Sequence, residues 1–262
     1  MFVDAQQPPW RAVRAFPQPN GGTLVHLHNV SGGVLSGDHL TLDIEVAPGA
    51  AAQVTTTGAT RLYRHRPGTD ASEQSTNIRV GEGALLEYLP DALIPFAASR
   101  HRQQTRIALA AGAKLFWWET VAPGRQAMGE TLAFDSLRLQ TEVRSLERPL
   151  LLEDLLLEPA KRPLTSSARL GAYTHTANFY AFGTGVRAAE WRELETRLAE
   201  LCSAHSTPGV MIWGTSALAA AGIVVRGMSV SPRALPATLA ALWRVSKKFL
   251  TGEDAVLPRK VY

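Results

Sequence analysis

Three short motifs constrain the fold more than any other feature: Ala47-Pro48-Gly49-Ala50, Gly81-Glu82-Gly83-Ala84 and Ala110-Ala111-Gly112-Ala113 each precede a run of strand-forming residues. Gly49, Gly83 and Gly112 stand 34 and 29 residues apart. A Gly-Ala turn that launches a strand about once per thirty residues fits stacked β-layers, either a β-helix-like solenoid or a sandwich of repeated hairpins. The flanking sequence has period two. In His39-Leu40-Thr41-Leu42-Asp43-Ile44-Glu45-Val46 the aliphatic residues share one face and the polar residues the other, which reads as a half-buried strand. Further strands are expected at Leu24–Val30, Ala51–Thr57, Asn77–Val80, Ala84–Leu89, Thr105–Ala110, Lys114–Val121 and Thr131–Val143. So many strands without intervening helices exclude a doubly wound α/β sheet.

The last third changes period. Trp191, Leu194, Leu198, Leu201 and Cys202 recur at helical spacing within Arg187–Ser203. A second helix is expected from Ser231 as N-cap, with Pro232 in its first position, to a stop at Gly252. Between them, Val210–Trp213 and Ile223–Met228 read as strands returning to the β-body. The expectation is one mainly-β domain over 1–262, with a β-rich body over about 20–180 and a helix-containing part over about 181–262 packed on it.

Composition excludes several function classes. At 262 residues with 45% hydrophobic and 19% charged side chains, the chain is neither a disordered segment nor a small stapled scaffold. The net charge of +4 comes entirely from residues 187–262, where 10 basic groups face 6 acidic ones. Neither Arg64-His65-Arg66 nor Arg100-His101-Arg102, both expected in loops, has the aromatic interleaving of a nucleic-acid platform. A lone Cys202, no apolar run long enough to span a bilayer and no signal-peptide pattern at the start make the cytoplasm the expected compartment, without membrane or nucleic-acid partners.

Catalytic signatures are sparse. A phosphate-cradling Gly-x-x-x-x-Gly-Lys-[Ser/Thr], a dinucleotide Gly-x-Gly-x-x-Gly and a Gly-x-Ser-x-Gly elbow are all missing, and Gly214-Thr215-Ser216-Ala217-Leu218 lacks the second elbow glycine. His26 and His28 project from one strand face, a geometry open to a borderline metal or to two ordinary strand histidines. Asp38 follows a glycine-rich run and fits a turn-capping role. Glu87, within Leu85-Leu86-Glu87-Tyr88-Leu89, and Glu119, within Leu115-Phe116-Trp117-Trp118-Glu119, must be paired, hydrogen-bonded or turned toward a polar channel.

The order of motifs is more specific than any one of them. Gly32-Gly33-Val34-Leu35-Ser36-Gly37-Asp38, Thr55-Thr56-Thr57-Gly58-Ala59-Thr60-Arg61-Leu62-Tyr63-Arg64, Leu86-Glu87-Tyr88-Leu89-Pro90-Asp91 and Trp118-Glu119 through Gly124-Arg125-Gln126-Ala127-Met128-Gly129-Glu130 follow in sequence. Val224-Val225-Arg226, the Leu242-Trp243 helix and Pro258-Arg259-Lys260 close the series. This ensemble, from about Val30 to Tyr262, resembles the urease accessory protein family UreD, also called UreH. It departs mildly at Thr57-Gly58, at Arg61 where lysine is frequent and at Tyr88 where tryptophan is frequent.

The resemblance implies a non-enzymatic scaffold that binds a UreF-type accessory protein, recruits a UreG-type GTPase through it, and docks on apo-urease during nickel insertion. No tightly bound cofactor is implied, only transient Ni²⁺. A polar path through the β-body would need weak oxygen and nitrogen ligands, since a closed thiolate and imidazole site would trap the ion. The candidates are Asp38, Glu87, Glu119 and Glu130, with His26 and His28 as outsiders. For partner docking the candidates are Trp191, Trp243 and Arg244, because partly covered aromatics dominate interface hot spots. Two other readings stay open: a β-solenoid enzyme on carbohydrate using Glu87 with Asp91 or Glu119 with Glu130 as acid and base, and a plain β-binding protein.

Overall fold

The expected Gly-Ala turns are the corners of the fold. In a computed structural model, which describes residues 1–146 and 148–258, Gly49, Gly83 and Gly112 all adopt left-handed φ of 69°, 62° and 67°. They also stack: Gly49 N donates to Glu82 O at 2.8 Å, and Gly83 N to Ala111 O at 2.9 Å. Gly81 is required for a different reason. A Cβ there would meet Pro48 N at 2.7 Å and Val46 O at 2.8 Å, so the successive turns approach too closely for a side chain.

The turns connect two facing sheets. The strands are β1 (Trp10–Pro17), β2 (Thr23–Asn29), β3 (His39–Val46), β4 (Ala51–Thr56), β5 (Thr60–Leu62), β6 (Ser72–Val80), β7 (Leu85–Tyr88) and β8 (Leu93–Pro95). They continue with β9 (Arg100–Leu109), β10 (Lys114–Val121), β11 (Ser136–Ser145), β12 (Pro149–Leu157), β13 (His175–Gly183), β14 (Met211–Ala217) and β15 (Gly222–Ser229). One sheet runs β1-β2-β4-β7-β10-β13-β15-β14, with β5 and β8 branching from it. The other runs β12-β11-β9-β6-β3. Pairings β2·β4, β4·β7 and β7·β10 are parallel, as are β3·β6, β6·β9 and β9·β11. The chain therefore winds from one sheet to the other and back, advancing one strand per coil. This resolves the open choice toward a β-helix-like coil whose ends are closed by antiparallel strands.

Helices α1 (Ala188–Ala204) and α2 (Leu235–Thr251) cover the outer face of the larger sheet. α1 buries Trp191, Leu194, Leu198 and Cys202, and α2 buries Leu235, Leu239, Leu242 and Trp243, against Phe116, Phe179 and Val225. Each buried large side chain contributes about 1.5–3 kcal/mol. Packing rather than intrinsic propensity therefore holds these 17-residue helices in place. Gly252 ends α2 in the left-handed conformation (φ 73°), as expected, with its N–H on Lys248 O at 3.0 Å.

The start of α2 differs from expectation. The helix begins at Leu235 with Pro236 in its first turn. Ser231 sits in a preceding turn, where its N–H donates to Ser229 Oγ at 3.1 Å and its carbonyl accepts from the same hydroxyl at 2.7 Å. A second departure concerns Arg100-His101-Arg102, which lies on β9 and not in a loop. Strand alternation turns Arg100 and Arg102 outward to Asp135 (2.9 Å) and Glu73 (3.7 Å), while His101 points between the sheets. Arg259 and Lys260 of the closing motif lie outside the described residues.

Candidate functional site: a polar row between the sheets

Alternation along each strand sorts side chains onto two faces, and the inner face changes character along the strands. At one end the gap is filled by Ile78, Val80, Ile107, Leu109, Leu115 and Val143. A few residues further along, the inward positions become polar. The larger sheet contributes Thr56, Tyr88, Glu119, Asn178 and Arg226, and the smaller one Gln74, Gln103, Thr141 and Glu153. These residues occupy neighbouring strands, so they form a row that crosses the coils.

Two cavities follow this row. One of about 50 Å³ is bounded by Trp10, Thr56, Tyr88, Asp91, Gln103 and Glu119 among others. A second of about 230 Å³ is bounded by Glu119, Thr141, Glu153, Asn178, Tyr180 and Arg226 among others. Glu119 and Leu139 line both. The larger space has room for several water molecules beside convergent polar groups.

Glu119 is the central ionisable group. Its Oε1 accepts from Gln103 Nε2 at 3.2 Å. Burial, with a smaller contribution from the negative charge of Glu153, pushes its carboxyl up to about 8. The same burial raises the Tyr88 phenol far beyond the neutral range. Glu153, on β12, accepts from the Tyr180 hydroxyl at 2.7 Å and pairs with the Arg226 guanidinium. Tyr180 is itself fixed by stacking on Trp117, with ring centroids 4.5 Å apart.

The raised Glu119 carboxyl carries a prediction for stability. The unfolded carboxyl ionises above about 4.5, whereas the folded one keeps its proton to about 8. Unfolding therefore releases a proton in this window, and the contribution of Glu119 to stability falls as pH rises from about 4.5 through about 8. Urea denaturation at pH 5.5 and 8.5 is expected to show a loss on the order of a few kcal/mol that Glu119→Gln largely removes. Equal pH slopes for the two proteins would contradict the half-buried, protonated state.

The other sequence candidates do not join this row. Glu87 is on the opposite face of its strand, 2% exposed beneath α2. Its Oε1 accepts from Trp243 Nε1 at 2.9 Å and pairs with Lys247 Nζ at 2.9 Å, and its Oε2 accepts from Gln53 Nε2 at 3.0 Å. Asp38 closes the glycine-rich turn, its Oδ2 accepting from Leu35 N at 2.8 Å. Glu130 pairs with Arg125 and accepts from Ala97 N at 3.1 Å. The Arg125 hydrogen bond is the main cause that brings its carboxyl down to about 2. His26 packs edge-on to Phe16, and His28 Nδ1 lies 3.0 Å from Thr57 Oγ1. Among the described residues no three His, Cys, Asp or Glu side chains converge as a metal cage.

Neither acid–base pair comes together. Glu87 faces the helices whereas Asp91 faces the interior cavity, where its carboxylate accepts from Thr56 Oγ1 at 2.9 Å. Glu119 is between the sheets and Glu130 in the loop beyond β10. For docking, Trp191 and Trp243 are 4% and 0% exposed and covered by the chain's own residues, while Arg244 is exposed on α2.

Sequence reading missed Glu153, Tyr180, Asn178 and Arg226 as site residues. The signal that singled out Glu87 and Glu119 was present at Glu153 too, a carboxylate inside Leu150-Leu151-Leu152-Glu153-Asp154-Leu155. What was missing was alternation, so the segment did not register as a strand.

Comparison with known proteins agrees with the motif order. The family model described as UreD urease accessory protein matches residues 3–262. A protein of Herpetosiphon aurantiacus named urease accessory protein UreD is 44% identical over 262 residues, covering 100% of this chain and 91% of its own length. Proteins of the same name from Deinococcus radiodurans and Cenarchaeum symbiosum are 34% and 35% identical. They match over 90% and 78% of this chain and 80% and 70% of their own lengths. No helix among the described residues is long and apolar enough to cross a membrane. With its motif order, its coiled β-body and a match that runs nearly end to end, the chain belongs to the UreD family of urease accessory proteins.

Proposed function

We propose that this chain is a non-catalytic scaffold of urease maturation whose polar row serves as a path for Ni²⁺ on its way into apo-urease. The observation that carries the reading is the pair of cavities sharing Glu119 and Leu139 between two otherwise tightly packed sheets. A protein interior excludes polar groups unless they are satisfied or used. Here carboxylates, amides and hydroxyls line a space large enough for water.

The donor set suits passage rather than storage. Oxygen ligands bind nickel weakly compared with thiolate and imidazole, so an ion passing Glu119 and Glu153 can leave again. A nickel ion approaching Glu119 displaces the proton held there. Glu87, Glu130 and Asp38 are engaged by lysine, arginine and backbone partners of their own chain, and the path runs without them. Nucleotide chemistry belongs to a UreG-type GTPase recruited through a UreF-type accessory protein, in keeping with the missing phosphate loop. Urease and these partners would meet the chain in the cytoplasm.

The test is nickel content and urea hydrolysis of urease purified from cells carrying the urease genes with and without this chain. Loss of both, with urease subunits still assembled, is the expected result. Unchanged nickel and activity would overturn the assignment.

A further inference from the structure

We propose that Arg226 is the gate of this interior: its guanidinium occupies the Glu153 carboxylate at the open end of the row and must leave before a divalent cation can pass. The inference rests on the reading of the interior as a nickel path and adds a residue that controls it. Glu153 lies on β12, the edge strand of the smaller sheet, while Arg226 and Tyr180 lie on the larger one. The three side chains therefore bridge the two sheets beside the 230 Å³ cavity.

Exposure gives the gate a direction. The Arg226 side chain is 62% exposed and that of Glu153 only 18%, so the cation is outermost and the carboxylate behind it. A guanidinium this exposed can be reached by a carboxylate on a docked protein, whose new pair offsets the loss of the one with Glu153. The Tyr180 hydroxyl, on a ring held by Trp117, would keep Glu153 aimed into the cavity after the guanidinium leaves. Tyr88, 8% exposed, and Glu119 stand at the wall of the smaller cavity behind it. While Arg226 is in place, a fixed positive charge opposes a divalent cation at this mouth.

The test is Ni²⁺ binding to the full chain by titration calorimetry at pH 7.5, with native folding checked by circular dichroism. Arg226→Gln and Arg226→Met, two ways of removing the charge, are each expected to tighten Ni²⁺ binding by about tenfold or more. Arg226→Lys keeps the charge and should bind as the native chain does. Adding Glu153→Gln to Arg226→Gln should abolish the gain. Unchanged affinity in both neutral variants, or an equal gain in Arg226→Lys, would overturn the gate. If the gate fails while filling the cavity neck at Leu139 still stops nickel loading of urease, the path stands without it; if filling the neck has no effect, the path itself is wrong.

Discussion

Replacing Lys247 by alanine is expected to cost the fold about 3–5 kcal/mol, because it leaves the Glu87 carboxylate buried without its counter-charge. Both side chains are almost fully enclosed, at 1% and 2% exposure, and their charged atoms are 2.9 Å apart. The pair is also a junction. Glu87 accepts from Trp243 on α2 and from Gln53 on β4, and the same Gln53 amide donates to Val256 O at 3.0 Å, tying down the segment after α2. Domains have total stabilities of only about 5–15 kcal/mol, so the loss is a large share of what is available.

The melting temperature of Lys247→Ala should fall by roughly 10 °C. The double variant Glu87→Gln/Lys247→Met removes both charges while leaving an acceptor for Trp243 Nε1. It should recover more than half of that loss, as expected when the dominant cost is an unpaired buried charge. A Lys247→Ala protein that melts within a degree or two of the native one would show that the node does not hold α2 to the sheet.

This node explains why one sequence expectation took the form it did. Glu87 stands out in an apolar strand segment because a carboxylate there must have partners, and that inference was sound. Its partners lie 34 residues away on β4 and 156 and 160 residues away on α2, beyond the reach of any local pattern. Glu119 carried the same signal and does face the interior. The difference between them is one of strand parity, which depends on the register of β7 against β10, where Glu87 pairs with Phe116.

Much of the fold was legible where chemistry is local. The three Gly-Ala turns need left-handed backbone, β3 alternates cleanly, and Lys114–Val121 appears with the bounds expected for it. β13 was not legible because it is buried on both faces: Phe182 and Tyr180 fill the gap between the sheets, and Phe179 and Ala181 meet the helices. Such a strand reads as a continuous apolar run without period. β12 failed for the opposite reason. It is an edge strand with leucines on both faces, Leu152 79% exposed, so neither face is marked as polar. Since Glu153 sits on β12 and Tyr180 and Asn178 on β13, three of the residues around the larger cavity lay on the two strands that period-two analysis cannot see.

The second large effect concerns the path. Leu139→Trp adds bulk at the one aliphatic position that walls both cavities, opposite Glu119 in the same polar row. Overpacking a filled core costs about 1–3 kcal/mol, but a ring that grows into water-sized space meets fewer neighbours, so the variant should remain folded. Transfer should suffer far more than stability. An indole has no ligand for nickel, and a tryptophan here would fill space between Glu119 and Glu153 that the ion must cross.

Measured against the native chain, Leu139→Trp is therefore expected to lower nickel loading of urease at least about tenfold while leaving partner co-purification intact. Glu119→Gln keeps the shape of the neck and removes its ionisable ligand, and it should give an intermediate loss. The most direct measurement is nickel per urease active site, by atomic absorption, in urease purified from cells that supply the native chain, Leu139→Trp or no chain. Nickel reduced in Leu139→Trp nearly to the level seen without the chain, with urease assembled and the variant still bound to its partners, is the result this account predicts. Full nickel occupancy with a folded, partner-bound Leu139→Trp chain would contradict it.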